Sequence, residues 1–212
     1  MSFLDNIKKV FTKTEKPVGQ DASDHQKSPA SPSPADIYIA RLEGERVEKD
    51  HFLKHSAYSP LEDRMGFSGL NYYPPNLDYR YELALQKADE SELLTFQTST
   101  GDEQIYHRLG TVEFEVEGQA AQLAVYQSTE HEGLFVPFRD ATSGQETYGA
   151  GRYLEPELLG NGNLLLDFNL AYNPYCAYSE NYSCPLPPFE NHLSNVAIRA
   201  GEKAYQKPDP VD

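Results

Sequence analysis

The apolar residues Phe3, Leu4, Ile7, Val10 and Phe11 recur at the spacing that gathers side chains on one helical face, with lysines on either side. Residues 2–13 therefore predict a short basic amphipathic helix, suited to contact with an anionic membrane surface or a protein partner. A helix this short is marginal in water without such a contact. From residue 14 to residue 35 the pattern vanishes into Lys, Ser, Asp, Gln and Pro, ending in Ser28-Pro29-Ala30-Ser31-Pro32-Ser33-Pro34. Such a stretch buries too little to offset the entropy of ordering, so it reads as a disordered linker.

Apolar spacing resumes with Tyr38, Leu42, Phe52 and Leu53. These positions predict one helix capped by Asp36 and stopped by Ser59-Pro60. An aromatic and glycine-rich loop follows, from Met65 to Pro75. The period then falls to two. Strands are predicted at 79–85, 93–98, 104–109, 111–117, 122–127, 134–138, 147–154 and 164–169. Val112, Phe114 and Val116 alternate with Glu113, Glu115 and Glu117, and Leu123 and Val125 continue the alternation after a turn at Gly118-Gln119. Thr100-Gly101-Asp102 and Gly110 supply further turns. The fold class this predicts is mainly β with a minor α part. It is an antiparallel sandwich or barrel-like domain over residues 36–204, with an N-terminal helix, a long irregular C-terminal arm and a flexible tail from residue 205.

Charge narrows the partners. The chain carries a formal net charge of -15, whereas nucleic-acid binders need a clustered positive surface to release counterions. Nucleic acid is excluded as a partner on that ground. No apolar run approaches the roughly 18 residues that span a bilayer, and the N-terminus shows no continuous apolar signal core. The expectation is a cytoplasmic protein, with any membrane or protein contact made peripherally through residues 2–13.

The residues with chemistry to offer crowd into the segment from Phe135 to Lys203. Arg139 and Arg152 are expected on neighbouring strands beside one loop, where Asp140 and Thr142 form the turn and Tyr148 stands close by. Two guanidiniums so placed suit a carboxylate or phosphate, or else they pair with acids to stitch the sheet. Gly149 and Gly151 make a G-x-G pair with no third glycine and no following helix, too little for a nucleotide site. Asp167 and Asn169 leave a buried strand, and Asn173, Asn181 and Asn191 are needed to satisfy irregular backbone in the arm.

Cys176 and Cys184 are the only cysteines. They read as two small buried thiols, a disulfide, or a reactive Cys176 with His192 as the nearby base. Two thiolates do not make the four-ligand zinc site that a structural metal wants, so no metal is assigned and no cofactor is identified. Asp140, Asp167, Glu190 and Glu202 form a carboxylate set for acid–base work if they converge.

The runs Phe135-Val136-Pro137-Phe138-Arg139-Asp140-Ala141-Thr142-Ser143-Gly144-Gln145-Glu146-Thr147-Tyr148-Gly149-Ala150-Gly151-Arg152-Tyr153-Leu154, Asp167-Phe168-Asn169-Leu170-Ala171-Tyr172-Asn173-Pro174-Tyr175-Cys176-Ala177-Tyr178, Cys184-Pro185-Leu186-Pro187-Pro188-Phe189-Glu190-Asn191-His192-Leu193 and Ile198-Arg199-Ala200-Gly201-Glu202-Lys203 closely resemble the prokaryotic family catalogued as domain of unknown function 1684. The resemblance covers roughly residues 37–203 and departs from the family at Leu170 and His192. It implies where a site lies and brings no reaction with it. The residues favour a domain that binds a small, anionic molecule in a polar cleft, through Arg139, Asp140, Thr142, Tyr148, Arg152, Asn169, Asn173 and Asn191. The alternatives are a hydrolase using Asp140, Asp167 or Glu190, a thiol chemistry at Cys176, or a structural and interaction module.

Overall fold

A computed structural model describes residues 31–207 of the chain apart from residue 131, and the side chains of residues 89–91 are likewise left out. The predicted amphipathic helix at 2–13, most of the linker, and residues 208–212 lie outside the described residues.

The helix, α1, runs from Pro34 to His55. It begins two residues before the expected cap, because proline suits the first helical position, where no intrahelical N–H partner is needed. Asp36 falls in the first turn, and Lys54 and His55 in the last, each complementing the helix dipole. Tyr38, Leu42, Lys49 and Leu53 are its buried residues. The chain leaves the helix through Ser59, whose hydroxyl donates to the Leu53 carbonyl at 2.5 Å.

Among the described residues nine strands follow: β1 (Arg80–Ala84), β2 (Gln86–Gln97), β3 (Glu103–Val116), β4 (Gln119–Ser128), β5 (Leu134–Asp140), β6 (Arg152–Leu154), β7 (Glu157–Leu158), β8 (Asn163–Asp167) and β9 (His192–Leu193). They form two sheets, one in the order β1-β8-β7 and a larger one in the order β2-β3-β4-β5-β6, with β9 joining β5 in parallel. All other pairings between these strands are antiparallel. The sheets do not close into a barrel. Leu164, Leu166 and Tyr79 from the small-sheet side share one core with Val112, Phe114, Leu123, Val136 and Phe138 of the large sheet.

Gly110 differs from its sequence reading in an informative way. The break predicted there is a bulge inside one continuous strand, where the β3–β4 register slips between Arg108 and Gly110. Its φ is +154°, and an added Cβ would stand 2.2 Å from the Gln86 carbonyl oxygen, so the glycine lets β2 approach closely. The turn of the next hairpin also sits one residue earlier than expected. Val116 pairs with Gln119, leaving Glu117 and Gly118 as a two-residue loop, both with positive φ, which matches the right-handed twist of the strands.

β4 shows why the arm matters. Its first half alternates exposed and buried, but Leu123, Ala124, Val125 and Tyr126 are all buried. Leu123 and Val125 face the main core, while Ala124 and Tyr126 join Phe96 and Tyr106 in a second cluster on the opposite face. The arm reaches that face. Asn191 accepts from the Ala124 N–H at 2.7 Å and donates to the Ala124 and Pro137 carbonyls at 3.0 and 2.8 Å. The packed chain extends at least to Tyr205, whose ring meets Phe67 and Tyr178.

Candidate functional site

The loop between β5 and β6 is built by Thr142, whose carbonyl accepts from the N–H groups of Gln145, Glu146 and Thr147. That folding delays β6 to Arg152, against the strand start predicted at Thr147. Arg152 lies opposite Phe138 in the β5–β6 ladder, with its guanidinium 5.2 Å from the Phe138 ring. Arg139, one residue along, is exposed and points to the other face. The two arginines are therefore not brought together.

Arg152 is fully buried, and its two terminal nitrogens donate to the chain that returns beside it, while its buried Nε has no hydrogen-bond partner among the described residues. Its Nη1 meets the carbonyls of Ala200 and Glu202 at 2.5 and 3.1 Å, and its Nη2 meets that of Ile198 at 2.8 Å. Asp140 stands 3.7 Å from the same Nη2. The Asp140 carboxylate also accepts from Thr142 Oγ1 at 2.9 Å and from the Ile198 N–H at 2.6 Å. Burial pulls the guanidinium's pKa down, and Asp140 opposes that pull.

The other polar residues are also engaged, apart from the buried Asn173 Oδ1, which has no hydrogen-bond partner among the described residues. Asp167 accepts from the Tyr38 hydroxyl of α1 at 2.7 Å, from the Asn169 N–H at 3.1 Å, and pairs with Arg80 at 3.3 Å. Asn169 clasps the backbone of Asn76 in both directions. Asn173 donates to the Lys203 carbonyl at 2.8 Å. Glu202 accepts from the Asn173 N–H and the Tyr178 hydroxyl, each at 2.8 Å, and is ion-paired with Lys49. Glu190 accepts from Tyr126 at 2.5 Å and from Arg108 at 2.9 Å. Burial pushes Glu190 up, and these two partners more than offset it, leaving its carboxyl below the ordinary range. The four carboxylates sit in four separate networks, with Asp140, Asp167 and Glu202 all buried.

Cys176 has a different setting. It lies in a single 3-10 turn, Tyr175–Ala177, directly after Pro174, and is half-buried. Its N–H donates to the sulfur of the buried Cys184 at 3.3 Å, and the Tyr148 hydroxyl donates to its own sulfur at 3.7 Å. Both cysteines are free thiols. Cys184 is held in place by the end of β2: its N–H donates to Ser99 Oγ at 3.1 Å, and its carbonyl accepts from the Ser99 N–H at 2.8 Å. The next residue, Pro185, accepts from the Tyr153 hydroxyl at 2.5 Å.

The Cys176 N–H favours an anion on Cys184, but other effects outweigh it. Hydrogen bonds from the Cys184 thiol, then from Tyr148 and Ser99, hold Cys176 down at about 6, against an opposing effect of burial. The same bond to Cys176, with burial, pushes the Cys184 thiol well above its ordinary value. The lower pKa of the pair therefore falls on the more exposed sulfur. His192, expected as the nearby base, instead has Nε2 3.1 Å from the Pro187 carbonyl and its ring against Phe189. Sequence reasoning missed Ser99, which reaches the site only through strand register and carries no local signal.

A second surface feature lies away from the segment. A groove of about 510 Å³ is lined by Pro34, Ile37, Tyr38, Arg41, Leu77 and Arg80. Both guanidiniums stand over the Tyr38 ring, Arg41 at 5.8 Å and Arg80 at 5.3 Å from its centroid. Among the described residues, no helix is long and apolar enough to cross a membrane.

The sequence profile of the family described as "Protein of unknown function (DUF1684)" matches residues 65–203. The solution NMR structure of an uncharacterized protein from gene locus rrnAC0354 of Haloarcula marismortui is similar. Identity to it is 38%, the alignment covers 79% of this chain and 95% of that one, and the TM-score is 0.60. No curated protein matches.

Proposed function

Starting from the fact that this chain belongs to the DUF1684 family, we propose that it is a thiol–disulfide exchange protein, with Cys176 as the nucleophile and Cys184 as the resolving thiol. The observation that carries this reading is the half-exposed Cys176 sulfur, which accepts from the Tyr148 hydroxyl at 3.7 Å and has the Cys184 sulfur held beside it, 3.3 Å from the Cys176 backbone nitrogen. A thiolate is the reacting form, and one favoured by fixed hydrogen bonds is present at neutral pH.

The chemistry balances within the site and one external disulfide. The Cys176 thiolate attacks one sulfur of that disulfide, whose S–S bond breaks, and the departing thiolate takes up a proton. With Cys176 now in a mixed disulfide, its negative charge is gone. That removes the chief cause of the high Cys184 pKa. Cys184 then gives up its proton and attacks the Cys176 sulfur, expelling the second external thiolate, which is protonated in turn. The protein dithiol is oxidised by two electrons, and the external disulfide is reduced to two thiols.

Mass spectrometry after treatment of the full chain with bis(2-hydroxyethyl) disulfide tests this. The expected product is an internal Cys176–Cys184 disulfide, with Cys184→Ser stopping at a mixed disulfide on Cys176 and Cys176→Ser unreactive. A wild-type protein that stops at the mixed disulfide, or reacts first at Cys184, contradicts the assignment.

A second reading is favoured by the groove beside Tyr38. Arg41 and Arg80, each already beside a carboxylate (Glu45 at 3.6 Å and Asp167 at 3.3 Å), lie next to the apolar surfaces of Ile37 and Leu77, so a small amphipathic anion entering there competes with those two acids. It keeps the anionic ligand class and moves the site from the 135–203 segment to α1. Saturable binding of an aromatic carboxylate, lost in Arg41→Ala, supports it, and binding unaffected by Arg41→Ala removes it.

A further inference from the structure

The groups around Cys176 also bear on which disulfides it accepts, a question that rests on the exchange reading above. The groups hydrogen-bonded about the sulfur are uncharged: Tyr148 donates to it, Cys184 takes the Cys176 N–H, and Ser99 holds the Cys184 backbone. The flanking Tyr175 and Tyr182 rings, in edge contact at 5.2 Å, add neutral aromatic surface. Further out, the charges that share hydrogen bonds with the cysteine loop are carboxylates. Asp102 accepts from Ser183 at 3.2 Å and from Thr100 at 2.7 Å, and Thr100 and Ser183 are themselves 2.5 Å apart. Glu62 accepts from Ser179 at 2.9 Å. Glu180 is exposed on the same loop. Glu202, which accepts from Tyr178, is buried and neutralised by Lys49, so it adds little outward field.

The far field has the same sign, since the chain carries a net charge of -15. An approaching anion meets repulsion at long range and no cation among the sulfur's immediate partners. A cation meets attraction. Like-signed or opposite-signed approach to a charged site changes association rates by about tenfold to a thousandfold, and the effect fades as salt shortens the screening length.

We propose that the Cys176 site selects cationic and neutral low-molecular-weight disulfides over anionic ones, the choice being set by the acidic surroundings of the cysteine loop. Asp102 and Glu180 are the residues of the loop region that set the local part of this preference, and the net charge sets the rest.

The test compares initial rates of the reduced full chain with cystamine, which is dicationic, bis(2-hydroxyethyl) disulfide, which is neutral, and glutathione disulfide, which is anionic. Each rate is divided by that of 2-mercaptoethanol with the same disulfide, so intrinsic reactivity cancels. At low ionic strength the expected order is cystamine, then the neutral disulfide, then glutathione disulfide, with the first exceeding the last by about tenfold or more. The gap narrows as salt rises, and it narrows at low salt in Glu180→Gln and Asp102→Asn. Equal normalised rates, a faster glutathione disulfide, or an order indifferent to salt overturns the preference while leaving exchange itself standing. Unreactivity toward all three disulfides, with Cys176 still open to alkylation, overturns the exchange reading and the preference with it.

Discussion

The Arg152 guanidinium and the Asp140 carboxylate lie 3.7 Å apart with both side chains almost wholly excluded from solvent, so the most conspicuous cation of the central segment faces inward. Three carbonyls and one carboxylate take its charge. Removing one partner of such a buried pair leaves the other uncompensated and costs about 3–5 kcal/mol. Arg152→Ala and Asp140→Ala are each expected to lower stability by that order in urea unfolding. Arg152→Lys also loses stability, because one ammonium does not reach three carbonyls in fork geometry. An Arg152→Ala protein with unchanged midpoint contradicts this account.

Lys49 and Glu202 tie α1 to the end of the arm. Both are buried, and Glu202 further holds the Tyr178 hydroxyl and the Asn173 N–H. Lys49→Met alone is expected to destabilise by about 3–5 kcal/mol. The double change Lys49→Met with Glu202→Gln recovers part of that loss, since the remaining side chain is uncharged and still hydrogen-bonds. A double-mutant cycle in chemical unfolding checks the coupling; additive losses contradict it.

Gly201 sits beside that pair with φ +77°, and an added Cβ would lie 2.5 Å from the Ala171 carbonyl and 2.7 Å from the Phe168 carbonyl. Gly201→Ala therefore strains the backbone and collides with backbone atoms that cannot rotate away. A loss on the order of 1–3 kcal/mol or more is expected, measured by thermal or urea unfolding. A neutral Gly201→Ala contradicts the close approach of the arm to this turn.

The cysteine pair gives stability a specific pH dependence. Cys176 is depressed to about 6 in the folded chain against an ordinary value of 9.0, so its contribution is fully present above 9 and lost as pH falls through 6. Cys184 is raised, so above pH 9 the folded chain keeps a proton that the unfolded chain releases, and its contribution is lost as pH rises. Tyr106 and Tyr73, both pushed up to about 12 chiefly by burial, add to the loss above pH 10. The expected profile from these groups rises between pH 6 and 9 and falls beyond. Comparison of wild type with the Cys176→Ser, Cys184→Ser double variant isolates the cysteine part, and identical profiles contradict it.

Much of this architecture is legible in the sequence, and the failures share one cause. The β3–β4 hairpin could be read because Val112, Phe114 and Val116 alternate with glutamates over one buried face. Gly110 was misread as a turn because a bulge and a turn use the same residue, and only the neighbouring Gln86 carbonyl distinguishes them. Thr147 looked like a strand start, yet its N–H is taken by Thr142 within the loop. The crowding of polar residues between 135 and 203 was visible, but its reason was not. Arg152 is answered by Ile198, Ala200 and Glu202, Asn191 by Ala124 and Pro137, and Lys49 by Glu202 across 153 positions. Pairings of that range leave no local pattern. The two cysteines, eight positions apart in one loop, were legible as a pair, whereas their partners Tyr148 and Ser99 arrive from elsewhere in the chain.

Tyr148 is a positioning residue in this scheme, acting on the sulfur through its hydroxyl. Tyr148→Phe keeps the ring and removes the hydrogen bond, so the midpoint of Cys176 ionisation moves upward while the unfolding midpoint changes little. An unmoved ionisation midpoint shows that the 3.7 Å contact does not stabilise the thiolate.

Exchange at this site requires Cys176 to be a thiolate at neutral pH. The most direct measurement of that ionisation is the rate of iodoacetamide alkylation against pH in the reduced full chain, with the modified peptide assigned by mass spectrometry. The account predicts modification at Cys176 with a midpoint close to pH 6, absent in Cys176→Ser. A midpoint near the ordinary value of 9.0, or modification chiefly at Cys184, contradicts it.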